Sequence, residues 1–374
     1  MDILTLQPDI DFIRQMKKIS GSSVKECVQC GECTAICSLS PENKPFPRKE
    51  LIWAGWGLKS KLMGNLDIWL CHQCGDCSAH CPRGINPADV LAALRQINYL
   101  HYAKPKFLAQ ILSKPAFLPL ALALPFIIIL AIIYAAGTLR IPEGPVIYSK
   151  FFPHAWLNSS FFAITLLVIA FTVSGIKKFW TDLKKNFPQS KQTGILKSFK
   201  LVISEIIFHK NFNQCKTQKS RQISHLMVFY GFILLLVVTV FAIFAVITNN
   251  YPLPFLSPVK ILGNIAALLM TTGLSIMIYQ RLFNKQKYGN SNYADWLFLI
   301  MLFLLTVSGV LLEIARFGNW HTAYHFYFFH LICVWFIIFY APYIKFGHFI
   351  YRTVAMVYAR SRGRGTRKGD SALN

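Results

Sequence analysis

Apolar residues are distributed unevenly along the chain. The first ~105 residues mix polar and apolar positions, whereas six nearly unbroken apolar stretches follow Pro115, near 116–136, 154–175, 224–248, 259–279, 296–315 and 324–346. Each has the roughly 20 residues needed to cross a ~30 Å hydrocarbon layer. Buried helices of a soluble core are the alternative, and six successive runs of this length weigh against it. The first stretch contains Pro119 and Pro125, which membrane helices accommodate with kinks. Before the apolar part, good helix formers dominate 49–58, and Asn86-Pro-Ala-Asp-Val-Leu-Ala-Ala-Leu-Arg reads as a helix with Pro87 in its first turn. The expected fold is therefore all-α. A helical domain at 1–110 precedes a six-helix transmembrane domain at 111–350, which contains a basic loop at 176–223, and a basic tail occupies 351–374.

Composition agrees with a membrane chain. Hydrophobic residues make up 54% and charged residues only 15% of the 374 positions, against about 25% charged in soluble domains. The net charge of +23 is not spread evenly: residues 1–110 hold 13 Lys/Arg and 10 Asp/Glu, and the remainder holds 26 and 6. Of those 26, 22 fall on the side that carries both termini and the 176–223 and 280–295 loops. The positive-inside rule places that side in the cytoplasm, giving a multi-pass protein of the cytoplasmic membrane. The N-terminus is acidic and lacks the apolar core of a secretory signal. The Arg-rich tail from Arg360 to Lys368 reads as a topogenic segment rather than a nucleic-acid site, and no glycine fingerprint marks a nucleotide site.

The chemistry is concentrated in two cysteine runs, Cys27-x2-Cys30-x2-Cys33-x3-Cys37 and Cys71-x2-Cys74-x2-Cys77-x3-Cys81-Pro82. This is the spacing of two-cluster bacterial ferredoxins, in which the fourth Cys of each run ligates the other cluster. Cys27, Cys30, Cys33 and Cys81 are therefore expected to hold one [4Fe–4S] cluster, and Cys71, Cys74, Cys77 and Cys37 the second. Ser38 stands where the pattern has Pro. Structural zinc does not need the third and fourth cysteines of each run, and disulfides are disfavoured in a cytoplasmic domain. Cys215 and Cys333 stand alone.

Histidine within a membrane span is a functional suspect. His225 opens the third span and His348 closes the sixth, both at the cytoplasmic face. His330 lies toward the outer end of the sixth span, and His154 begins the second at the same face. His330 and His348 are 18 residues apart, five turns on one helix face, with a rise of about 27 Å. That is the arrangement for two stacked b haems, the inner one on His225 and His348 and the outer one on His330 and His154. Pro342 between them is able to rotate one half of the helix, and His321 and His325 compete with His154. His101 and His209 read as ordinary surface residues. Glu313, Arg316 and Trp320 at the outer end of the fifth span read as interfacial anchors rather than a quinone site. The 195–212 stretch reads as an amphipathic helix on the inner leaflet, and the basic loop as attracted to anionic lipid, with a cradle that uses Lys184 and Lys185 to hold the cluster domain as the sharper alternative.

These motifs together resemble the membrane subunits of quinone-interacting membrane-bound oxidoreductase (Qmo) complexes over essentially the whole chain. The N-terminal part is similar to the C subunit of heterodisulfide reductase, and the C-terminal part to the cytochrome b subunit of nitrate reductase, whose His-x17-His pattern corresponds to His330 and His348. That family has a second histidine ten residues beyond the one matching His225, where this chain has Leu235. The resemblance implies a subunit that links menaquinone to cytoplasmic flavin and iron–sulfur subunits, with adenylylsulfate reductase at the far end of the chain in sulfur metabolism. A heterodisulfide reductase-like complex with another substrate is the alternative within this class. A redox-sensing transporter is the alternative outside it, and it fits less well because mid-span positions are apolar.

Overall fold

A computed structural model describes residues 7–21, 24–41, 44–188, 193–209, 219–248, 250, 253–284 and 291–363, all helix, turn or loop with no strand among them. The cluster-bearing part contains α1 (Ile10–Ser20), α2 (Glu32–Ala35), α3 (Arg48–Gly55), α4 (Lys59–Leu62), α5 (Leu66–Leu70), α6 (Asp76–Ala79), α7 (Pro87–Tyr102) and α8 (Lys106–Ser113). Its ends follow ordinary capping chemistry. Asp9 accepts from the Phe12 amide at 2.8 Å to start α1, and Gly21, at φ 66°, ends it. Pro87 opens α7, as its fixed φ and missing donor suit a first turn.

The apolar part contains α9 (Leu118–Ala135), α10 (Tyr148–Phe151), α11 (His154–Asn186), α12 (Ile195–Ile207), α13 (Lys219–Ile247), α14 (Pro258–Phe283), α15 (Tyr293–Phe317), α16 (Ala323–Phe339) and α17 (Phe346–Ser361). Five helices are long and apolar enough to cross a membrane: 115–135 with α11, α13, α14 and α15. α16 is apolar but has only 17 residues, about 26 Å at 1.5 Å per residue. It packs against α9, α11 and α15 and buries Leu331, Cys333, Trp335, Phe336 and Ile337. A helix that is apolar all round suits this central place.

Three expectations need correction. The sixth stretch does not run unbroken to 346: helix stops at Phe339, Ala341–Tyr343 forms a single tight turn around Pro342, and α17 begins anew at Phe346. Pro342 cannot donate to the ladder and clashes with the preceding turn. Gly347 seats the start of α17 against this turn, since a Cβ there would lie 2.8 Å from the Pro342 carbonyl oxygen. His330 and His348 therefore lie on different helices, and His330 falls near the middle of α16 rather than toward its end. Residues 351–361 are not tail but helix, with Tyr351, Ala355, Tyr358 and Ala359 almost fully buried. Finally, residues 176–186 are not loop: they extend α11 to 33 residues, about 50 Å, well beyond a hydrocarbon layer.

That extension joins the two parts of the molecule. Phe179 and Leu183 of α11, Val202 of α12 and Tyr351 of α17 share one core with Phe12, Trp69, Leu94 and Tyr102 of the cluster-bearing part. Tyr102 donates to Asp182 at 2.8 Å, and the Asn186 amide donates to the Met63 carbonyl at 2.9 Å. The approach is close enough that a Cβ at Gly175 would lie 2.4 Å from the Tyr351 hydroxyl and 2.8 Å from the Tyr102 carbonyl. Lys184 and Lys185 are exposed, so the cradle is built from apolar side chains rather than from these lysines.

Candidate iron–sulfur site and the histidines beside it

The two cysteine runs fold alike because their sequences are nearly the same: Cys-Val-Gln-Cys-Gly-Glu-Cys-Thr-Ala-Ile-Cys and Cys-His-Gln-Cys-Gly-Asp-Cys-Ser-Ala-His-Cys. Gln29 and Gln73 take positive φ (59° and 55°), as do Gly31 and Gly75 (87° and 92°). The backbone thus turns between the first and second Cys and again before the third. Each glycine starts a one-turn helix, α2 or α6, and these two pack on each other. The hydroxyl after the third Cys then ties the run to the next long helix. Thr34 accepts from the Arg48 amide and Ser78 from the Ala88 amide, both at 3.2 Å. Cysteine spacing alone does not single out these matching Gln, Gly and hydroxyl positions; their repetition in both runs is the signal for them.

The crossing of α2 and α6 carries each fourth Cys to the opposite run. Cys27, Cys30, Cys33 and Cys81 line one cavity together with Gly31, Arg48, Leu51 and Pro82. Cys37, Cys71, Cys74 and Cys77 line a second with Phe46, Gln73, Ala88 and Leu91. None of the eight is in a disulfide. No three or more His, Cys, Asp or Glu side chains among the described residues close to the spacing of a single metal ion. Four cysteines around each cavity are the donor set of a four-iron cubane. Burial pushes the Cys33 thiol up to about 11 and the Cys37 thiol up to about 12, and raises Cys77 further, with neighbouring cysteines adding to each. Such thiols become thiolates only against bound positive charge. Beneath the site, Glu50 and Asp67 are fully buried beside Lys49, which contacts both. Burial, then the Asp67 charge, pushes the Glu50 carboxyl up to about 8.

The second cavity faces the helical bundle. The Cys71 carbonyl accepts from Arg95 at 2.7 Å and from Arg352 of α17 at 2.8 Å, and the Gln73 carbonyl accepts from Arg221 of α13 at 3.2 Å. Trp69, with no exposed surface, stacks on His348 at 5.9 Å and 21°. His225 lies at the same end of the bundle, where Phe232, two turns along its helix, packs on Phe346 at 5.2 Å. Edge-on to His225, at 5.8 Å, is His209, expected to be an ordinary surface residue. His330 Nδ1 bonds to the Ser308 hydroxyl at 2.9 Å. His154 opens α11 at the far end, where the turn before it sets Tyr148 and Phe151 against Tyr327 and Tyr324. Those tyrosines lie one to two turns beyond His330. Glu313, expected to be an interfacial anchor, pairs with Lys260 at 3.2 Å. Cys215 lies outside the described residues, and Cys333 is buried in α16.

A family model described as citrate utilization protein B matches residues 109–370. The chain belongs to that family. A second model, a 4Fe–4S dicluster domain, matches residues 23–85, so this family member carries iron–sulfur clusters in the part that holds both cysteine runs. The Escherichia coli citrate utilization protein B is 25% identical over 365 residues, 92% of each chain. Over the first quarter the chain is also similar to the C subunit of the H2:CoB–CoM heterodisulfide, ferredoxin reductase of Methanothermobacter marburgensis, 32% identical over 88 residues. It is 33% identical over 89 residues to an Archaeoglobus profundus protein described as like the heterodisulfide reductase C subunit. These two matches cover 23% and 24% of this chain and 47% of each relative. No solved structure matches significantly.

Proposed function

We propose that this citrate utilization protein B family member is a membrane electron-transfer subunit. It would pass electrons between menaquinone and a cytoplasmic flavin or iron–sulfur partner, through two [4Fe–4S] clusters with crossed ligation and two b haems. The observation that carries this reading is the shared core: the Cys71 cavity backs directly onto the helices that carry His225 and His348. The donor set suits haem. The Trp69 indole N–H is fully buried with no acceptor among the described residues, which leaves it able to donate to a group bound beside His348. The Ser308 bond on His330 Nδ1 orients that ring and leaves Nε2 for an iron, as outer hydrogen bonds do for ligating histidines. His225 and His348 would hold the inner haem, and His330 with His154 the outer one. A b haem supplies a one-electron iron couple within the apolar bundle.

Two readings of the partner follow from two similarities. The match over the full length to a protein named for citrate utilization favours a partner acting on a small carboxylic acid. The similarity of the N-terminal quarter to heterodisulfide reductase subunits supports a complex of several subunits, for which the Qmo-like reading supplies adenylylsulfate reductase. The cluster and haem reading is tested by anaerobic purification with iron and haem analysis and optical and electron-paramagnetic-resonance spectra. Two clusters and a reduced b-type band are expected. Zinc in place of iron, or a preparation without haem, overturns the corresponding half. The partner reading is tested by asking which reduced partner, a carboxylic-acid dehydrogenase or adenylylsulfate reductase, delivers electrons to the clusters.

A further inference from the structure

The two cavities are not equivalent with respect to the bundle. Resting on the cluster and haem reading, we propose that the cluster of Cys37, Cys71, Cys74 and Cys77 exchanges electrons with the membrane helices, with Trp69 as the relay. The cluster of Cys27, Cys30, Cys33 and Cys81 meets the soluble partner. Both cavities are lined by residues of the cluster-bearing part, within 27–87 for the first and 37–91 for the second, so the difference lies in what packs behind them. Cys30 is exposed, and apolar Val28, Ile36 and Trp56 nearby are 58%, 39% and 60% exposed, the kind of uncovered surface that marks a protein contact.

The second cavity is held from three helices, α7 of its own part and α13 and α17 of the bundle. Arg95 and Arg352 both donate to the Cys71 carbonyl, and Arg221 donates to that of Gln73. Two residues before Cys71, Trp69 fills the space to His348 and is gripped edge-on by Phe179 and obliquely by Tyr351. Tunnelling falls steeply with distance, so an indole packed between ligand and imidazole selects this route over any route from the first cavity. Charge points the same way. Arg95 is 4% exposed, and buried cations favour the reduced, more negative state of a neighbouring cluster. Arg48 and Arg83 line the first cavity but are exposed, where water and salt screen them. When the step runs toward the membrane, one electron leaves the cluster and reduces ferric iron at His348 to ferrous. No bond is made or broken, and a reduced flavin of the partner resupplies the electron through the first cluster.

The test uses the purified complex. In Cys30→Ser, the remaining cluster should keep the fast spin relaxation caused by a nearby haem and should still reduce that haem in a single turnover. In Cys74→Ser, the remaining cluster should relax slowly and haem reduction should fail. Trp69→Leu should retain clusters and haems yet slow the transfer at least tenfold, and Arg352→Gln should lower the potential of one cluster only, the one that survives in Cys30→Ser. Fast relaxation in Cys74→Ser, or wild-type transfer in Trp69→Leu, overturns the order while leaving the cofactor reading intact. Absence of any b-type absorption overturns the cofactor reading and the relay with it.

Discussion

Phe179 is the sharpest place to test whether the cluster domain and the bundle are one packed unit. Its ring has no exposed surface and sits among Trp69, Tyr102 and Tyr351, at centroid distances of 5.7, 5.0 and 5.4 Å. Phe179→Ala removes a buried aromatic whose loss costs about 3–5 kcal/mol when the cavity does not collapse. Collapse is opposed here by three large rings held from three different helices, so the upper part of that range applies. At 1.4 kcal/mol per decade, about 4–5 kcal/mol raises the undocked population by roughly a thousandfold to a few thousandfold. Hydrogen exchange measured on the detergent-solubilised protein reads this directly. Amides of α7, α17 and the cytoplasm-proposed end of α11 should lose protection together, while those of α13 and α14 remain as in the wild type. Phe162→Ala, on the same helix but 66% exposed on the apolar surface, should leave all of them unchanged. Undiminished protection of α7 and α17 in Phe179→Ala would refute the shared core as the element that holds the domains together.

Cys81→Ser should damage the cluster of Cys27, Cys30 and Cys33, and Cys37→Ser the cluster of Cys71, Cys74 and Cys77, as read by electron paramagnetic resonance. Each variant damaging the cluster of its own run would show that ligation is not crossed. His348→Ala and His225→Ala should each remove the inner haem from the optical spectrum while the outer one stays, and His330→Ala should do the reverse. An outer haem that survives His154→Ala transfers that role to another residue. Glu50 supplies a pH test. Its carboxyl is held at about 8 against an ordinary 4.5, so between those values the folded chain keeps a proton that the unfolded chain has released. Stability should therefore fall as pH rises through that window, by a few kcal/mol in all. Glu50→Gln should flatten the slope in thermal unfolding between pH 5 and 8, and an unchanged slope would assign it to other groups.

The cysteine pattern was legible because cluster ligation is local: the spacing of three thiolates is set by one turn of chain, whatever the rest of the fold does. The apolar helices were legible for a similar reason, since solvation by lipid needs only length and composition. Legibility ended where apolar residues are buried against protein instead. Residues 351–361 read as part of a basic tail, yet Tyr351, Ala355 and Tyr358 recur at helical spacing and are buried, while Arg352 and Arg360 reach the Cys71 carbonyl and Glu205. Residues 176–186 look like a charged loop, but Phe179 and Leu183 make one face of a continuing helix apolar. Pro342 was visible, but a kinked helix and a helix broken by a tight turn read the same in sequence. Only the close seat of Gly347 on Pro342 distinguishes them.

The way the domains are joined bears on how a redox subunit of this kind works. A cluster domain tethered by surface charges would sample many distances from the bundle, and its contacts would weaken with salt. Here the joint is an apolar core crossed by one continuous helix, and its polar contacts, Tyr102 to Asp182 and Arg352 to the Cys71 carbonyl, are partly buried. Packing of that kind has few alternative arrangements, so the spacing between Trp69 and His348 is fixed before any partner binds. The Cys30 side is exposed, and in the proposed order exchange with the partner there is the step that involves association and dissociation. Ionic strength should therefore change how fast a soluble partner delivers electrons to the first cluster, and leave transfer from the second cluster into the bundle untouched.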